Sequence, residues 1–248
     1  MKFPCRSVLW SMVYVMSGIS AIAQTFSPFN IQPPPDADSD NRGSVGPERR
    51  DCETLANVFM PIVPNYSTAT DTAPRQRYGW SSPDQPTLWF YLPYETAFIK
   101  TADFSVWRLE SQGEPTLIYD AIIEQPQRGF FSIVLDDQSQ PLTPNTLYQV
   151  TVYVEAYCDL TSPIIGDSAS TWIKVIETET PAAGLPVSAQ VADYLDRSLW
   201  YDAVNLSLQQ YCRDQTSTEL AALLQAALGE SFTFPEQAEC TTASFQSE

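Results

Sequence analysis

The stretch Pro86-Thr-Leu-Trp-Phe-Tyr-Leu-Pro93 constrains the fold more than any other part of the chain. Its six central residues favour a strand, and a proline at each end keeps the ladder from running on. On a pleat, Leu88, Phe90 and Leu92 point one way, while Thr87, Trp89 and Tyr91 point the other. Both faces are largely apolar. Such a strand is either covered on both sides or offers its aromatics to a partner.

Its neighbours supply one covering layer. From Cys52 the chain breaks into short strand-like runs separated by turn signals: Leu55–Val63, Pro86–Leu92, Ala97–Leu109 (with a break near Asp103), Thr116–Ile123, Phe130–Leu135, Thr146–Tyr157 and Thr171–Glu177. This pattern predicts a mostly β domain over residues 52–180, a seven-stranded antiparallel sandwich of the fibronectin III/immunoglobulin type. The sixth run is the most specific. Leu142-Thr-Pro-Asn-Thr-Leu-Tyr148-Gln-Val resembles the entry to the sixth strand of fibronectin type III domains, where a tyrosine corner sits. Tyr148, Val150, Val152, Val154 and Ala156 share one face, so Tyr148 is expected to bury its ring and bond backbone through its hydroxyl. Immunoglobulin disulfide spacing is absent, because Cys158 lies ten residues beyond Tyr148 rather than two. The long connection Pro64–Gln85 is either functional or hides a strand, with Thr68–Thr72 the candidate.

The second layer comes from the C-terminal part. Past Pro181-Ala-Ala-Gly-Leu-Pro186 the period turns helical: Val191, Tyr194 and Leu195 mark a short helix, and Trp200, Ala203, Val204, Leu208 and Tyr211 mark a longer one. Thr216-Ser-Thr-Glu219 is a capping box for a third helix, Leu220–Leu228, stopped by Gly229. Segment 187–229 is too small for a core of its own, so it is expected to dock on the sandwich, with 230–248 as a tail tied back by a disulfide.

The N-terminus reads as a secretory signal peptide, residues 1–23: a basic start, an apolar core too short to span a bilayer, and Ala21-Ile-Ala23 before Gln24. No later segment is apolar enough to cross a membrane. The expected product is exported, periplasmic or extracellular. Residues 24–51 are rich in Pro, Asp, Ser and Gly and read as a disordered acidic linker. Its Asp36-Ala-Asp-Ser-Asp40 starts like a calcium loop, but Asn41 and Pro47 stand where glycine and glutamate are needed, so no metal is expected.

Composition then restricts chemistry. The net charge of −17 disfavours nucleic acid. The chain has no histidine, which removes Ser-His-Asp and Cys-His catalysis and His-ligated metals. Carboxylate pairs remain as possible chemistry, but Glu95, Asp120, Glu124, Asp136, Asp137, Glu155 and Asp159 are scattered and read as solvated. Beyond Cys5 of the leader there are Cys52, Cys158, Cys212 and Cys240, an even number that reads as two disulfides in an exported chain. If the strands alternate up and down, Cys52 before the first meets Cys158 after the sixth, leaving Cys212–Cys240.

Arg49-Arg-Asp-Cys52, Pro86-Thr-Leu-Trp-Phe-Tyr-Leu-Pro-Tyr94, Cys158-Asp159 and Leu199-Trp-Tyr-Asp-Ala203 together resemble the Domain of Unknown Function 928 family. The resemblance implies an exported bacterial protein, mainly cyanobacterial, over about residues 49–229, and is silent on mechanism.

The expected function is therefore non-catalytic: a binding or scaffolding module of the cell envelope, without a cofactor, whose partner is an envelope protein or a glycan. A carboxylate-dependent glycan hydrolase and a purely structural component are the alternatives. The candidate contact residues are Trp80, Trp89, Tyr91, Arg75 and Arg77. Of these, Trp89 and Tyr91 are the ones that docked helices would bury.

Overall fold

The computed structural model describes residues 58–66, 76–83, 86–109, 114–135, 142–178, 184–215, 218–228, 232, 235 and 239–245. The expected leader (1–23), linker (24–51), Cys52 and Arg75 lie outside them, as do Thr68–Thr72 and the Asp136-Asp137 pair.

The strands are β1 Met60–Pro61, β2 Asn65–Tyr66, β3 Gln76–Ser81, β4 Thr87–Leu92, β5 Ile99–Arg108, β6 Thr116–Glu124, β7 Gly129–Val134, β8 Leu147–Tyr157, β9 Ile164–Val175, β10 Cys240–Thr242 and β11 Ser244–Phe245. Helices α1 Val187–Asp196, α2 Trp200–Asp214 and α3 Thr218–Leu228 stand between β9 and β10. A small sheet has the order β1-β4-β7-β10, and a large one β11-β6-β5-β8-β9-β3-β2.

This corrects the expectation of seven antiparallel strands. Both sheets are mixed, because β3 pairs parallel to β9 and β10 parallel to β7. The long connection holds two strands, β2 and the longer β3, Gln76–Ser81, which pair with each other. Gly79 interrupts the apolar pattern of β3 for a packing reason. A Cβ there would lie 2.9 Å from the Tyr201 ring and 3.2 Å from the Trp200 Cβ, so only glycine lets α2 approach. Strand β5 runs unbroken through Asp103, and its register slips elsewhere, between Val106 and Trp107 against β6. Strand β9 starts at Ile164, well before Thr171, since β8 pairs with it along the whole length from Tyr157↔Ile164 to Leu147↔Lys174. Gly166 clears space there for the Tyr153 hydroxyl, with which an added Cβ would clash.

The alternation on β8 holds, with Tyr148, Val150, Val152, Val154 and Ala156 all buried. The Tyr148 hydroxyl accepts from the Thr143 N–H at 2.8 Å, a tyrosine-corner bond. These side chains join Leu88, Phe90, Leu92, Phe104 and Phe131 in one continuous apolar cluster. The two sheets thus share a core.

Strand β4 is buried at every position. Phe90 stacks on Phe131 at 5.4 Å on one face. On the other, Tyr91 meets Phe130 and Phe232, and Phe130 meets Tyr211 of α2. Trp89 is 5 % exposed and its indole N–H donates to Asn205 Oδ1 at 3.0 Å. Docking is anchored at the start of α2, where the Trp200 indole donates to the Ile62 carbonyl at 2.9 Å and the Tyr201 hydroxyl to the Trp172 carbonyl at 2.9 Å. Asp202 completes the anchor. It accepts from the Ser82 N–H at 2.9 Å and from the Ser82 hydroxyl, while burial pushes its pKa up despite those bonds. The far end of α2 is held by the Cys212–Cys240 disulfide, whose 28-residue separation gives a loop-closure stabilisation of about 3–4 kcal/mol. Cys158 is disulfide-bonded as well, with its partner outside the described residues.

Candidate functional site

Alternation on the large sheet builds two faces. The inner one is the core. On the outer one, Trp107 of β5 pairs with Gln149 of β8, Gln149 with Trp172 of β9, and Trp172 with Tyr78 of β3. These four side chains form one row across four strands. In the next row Lys174 pairs with Leu147 and Trp80, and its ammonium sits 6.0 Å from the Trp80 ring centroid. Trp80, Trp107 and Trp172 are each half-buried. Neighbouring polar groups hold two of the rings in place. The Trp107 indole donates to Ser105 Oγ at 3.2 Å, and the Trp80 indole to Tyr78 Oη at 2.6 Å. The Trp172 N–H has no partner among the described residues.

Further along the same outer face lie carboxylates that the sequence leaves scattered. Asp103 pairs with Tyr153, Ser105 with Asp120, and Thr101 with Glu155. Partial burial, then the charges of Asp120 and Glu155, push Asp103 upward from the ordinary carboxylate range. Glu155 is also bridged to Lys100 at 2.9 Å. The remaining acids do local work. Glu95 pairs with Arg128, and Asp159 accepts from Thr161 and Ser162 in its own turn, which lowers its pKa. Half-buried Asp167 accepts from Tyr94 Oη at 2.6 Å, and burial raises the pKa of both groups.

Of the expected contact residues that are described, Trp80 alone is placed on this outer face. Trp89 and Tyr91 are corrected to core residues, because α2 and Phe232 cover the face they share. Arg77 stands on β3 with its Nη1 buried and without a hydrogen bond, and desolvation lowers its pKa. Trp107 and Trp172 complete the row that Trp80 flanks. Both lie inside legible strand runs, but only the cross-strand register shows that they are neighbours.

Elsewhere, an open groove of about 500 Å³ lies between α2 and the small sheet. Thr87, Trp89, Ser132, Asn205, Gln209 and Arg213 are among its lining residues.

A family model described as Domain of Unknown Function (DUF928) matches residues 41–239. The chain belongs to that family. The match spans β1 to β9, the outer aromatic row and all three helices, so the family unit includes the helices as well as the β part, while β10 and β11 lie beyond it. Neither the curated proteins nor the solved structures contain a match to the chain. Among the described residues no helix is long and apolar enough to cross a membrane.

Proposed function

We propose that the chain is an exported, non-catalytic binding module of the cell envelope that holds a glycan on the outer face of the large sheet. One observation carries this reading: Trp107 and Trp172 occupy one row, two strands apart, with Gln149 between them. Adjacent strands are spaced about 4.8 Å, so the two tryptophan positions are about 10 Å apart. That is close to the repeat of a disaccharide. Aromatic faces suit the apolar faces of sugar rings, and the intervening amide suits their hydroxyls. Export is supported by the signal-like opening of the sequence.

A glycan array with the full chain tests this. Trp107→Ala and Trp172→Ala should each weaken the best signal at least tenfold, roughly 1.4 kcal/mol. Because both rings are half exposed, melting temperatures should stay near that of the wild type. An array that stays blank, or variants that bind as the wild type does, would defeat the proposal.

A glycan hydrolase remains the second reading, favoured by the raised Asp103 beside Asp120 and Glu155 on the same face. These acids lie on an open sheet face, which supports binding over hydrolysis. Release of reducing ends from a bound glycan, lost in Asp103→Asn, would favour the enzyme instead.

A further inference from the structure

We propose that the groove between α2 and the small sheet is a separate binding site for a carboxylated sugar of the uronic acid type. Its volume of about 500 Å³ lies within the usual range for small-molecule sites and has room for one or two sugar rings. One wall is a stripe of α2. Asn205, Gln209 and Arg213 recur at every fourth residue and fall on one side of the helix. Facing them are the hydroxyls of Ser132 and Thr242, themselves 3.2 Å apart, with Trp89 at the base.

The orientation of the helix wall is fixed by chemistry. An indole N–H can only donate, so the Asn205 atom that meets Trp89 at 3.0 Å is its oxygen. Gln209 Nε2 donates to the same oxygen at 3.2 Å. Asn205 Nδ2 and Gln209 Oε1 therefore have no partner among the described residues, and they offer the groove one donor and one acceptor. One turn further on, Arg213 uses only Nε, on the Gln209 carbonyl at 3.3 Å. Its two terminal nitrogens are unpaired among the described residues.

The charge pattern narrows the ligand. The chain carries 30 acidic residues, yet no acid is among the described residues that line this groove. A guanidinium fork free of a counter-ion fits a carboxylate in two parallel hydrogen bonds. The amides and hydroxyls around it fit a polyhydroxylated body. A free amino acid fits poorly, because its ammonium would meet no carboxylate. A neutral sugar would leave Arg213 unanswered, and a dianionic phosphate would face a single cation.

Calorimetric titration of the full chain with glucuronate, glucose and inorganic phosphate tests the site. Glucuronate should bind, with glucose and phosphate at least about tenfold weaker. Arg213→Gln and Gln209→Glu should each cost glucuronate about tenfold or more, at unchanged melting temperature, since both side chains are exposed. Trp172→Ala should leave glucuronate binding intact, which separates this site from the sheet face. Equal affinity for glucose and glucuronate, wild-type binding by Arg213→Gln, or no heat from glucuronate would overturn the assignment.

Discussion

Replacing Trp89 with alanine removes the largest side chain that β4 presents to α2, and its cost can be worked out from its surroundings. The ring is 5 % exposed, and a buried aromatic of this size hides about 150–250 Å², worth roughly 4–6 kcal/mol of transfer free energy. Truncation would not leave a sealed void, because the residue lies at the base of an open groove that water can fill. The hydrogen bond adds little. Asn205 Oδ1 keeps its bond from Gln209 at 3.2 Å and can take a water in place of the indole. The expected loss is therefore at the low end of the aromatic-to-alanine range, about 3–4 kcal/mol. For a domain of this size that lowers the melting temperature by about 6–16 °C. Trp89→Phe keeps one ring but loses the second ring and the N–H, so it should cost less than the alanine variant, about 1–3 kcal/mol. Urea unfolding and calorimetry of both variants check the numbers. A Trp89→Ala protein that melts within about 2 °C of the wild type would refute the burial argument.

Other perturbations test other contacts. Gly79→Val puts side-chain atoms where the Tyr201 ring and the Trp200 Cβ now pack, and should destabilise by about 1–3 kcal/mol in urea unfolding. Deleting residues 187–248 uncovers Trp89, Tyr91 and Phe130, so the remaining sheets should aggregate or bind a hydrophobic dye; a monomeric, dye-negative product would count against docking. Stability should also rise on mild acidification. Asp103, Asp167 and Asp202 have pKa values raised by burial above the ordinary 3.8. The folded chain thus holds more protons than the unfolded one above that value. Their contribution is complete below about pH 3.8 and is lost as pH rises through the folded values. The melting temperature should fall as pH rises from about 4, and the fall should shrink in Asp202→Asn.

The elements that were legible in the sequence are those whose burial follows a simple period. Alternation on β8 and the Trp200–Tyr211 stripe of α2 each name their own buried face, and the structure buries those residues. What stayed hidden depends on partners distant in sequence. Gln76–Ser81 carries Arg77 and Gly79, which weaken a strand pattern, and most of its length pairs with a parallel edge of β9 about 95 residues away. Strands β10 and β11 are too short to carry a period, and they are set by the Cys212–Cys240 link and by pairing to β7 and β6. The candidate site fails the same way. Trp80, Trp107 and Trp172 are visible as single aromatics, but nothing local states that they share a face. Trp89 and Tyr91 were legible as an aromatic pair, and their fate hinged on how α2 is placed.

The central claim is that a neutral glycan binds at the outer row of the large sheet, apart from the carboxylate-specific groove based on Trp89. The most direct measurement is a tryptophan indole NMR titration of the chain without residues 1–23, using the best carboxylate-free glycan from the array. It follows the signals of Trp80, Trp89, Trp107, Trp172 and Trp200. The outer-face reading predicts that Trp107 and Trp172 shift together and saturate, while the buried Trp89 and Trp200 stay in place. Shifts confined to Trp89, or none at Trp107 and Trp172, would contradict it.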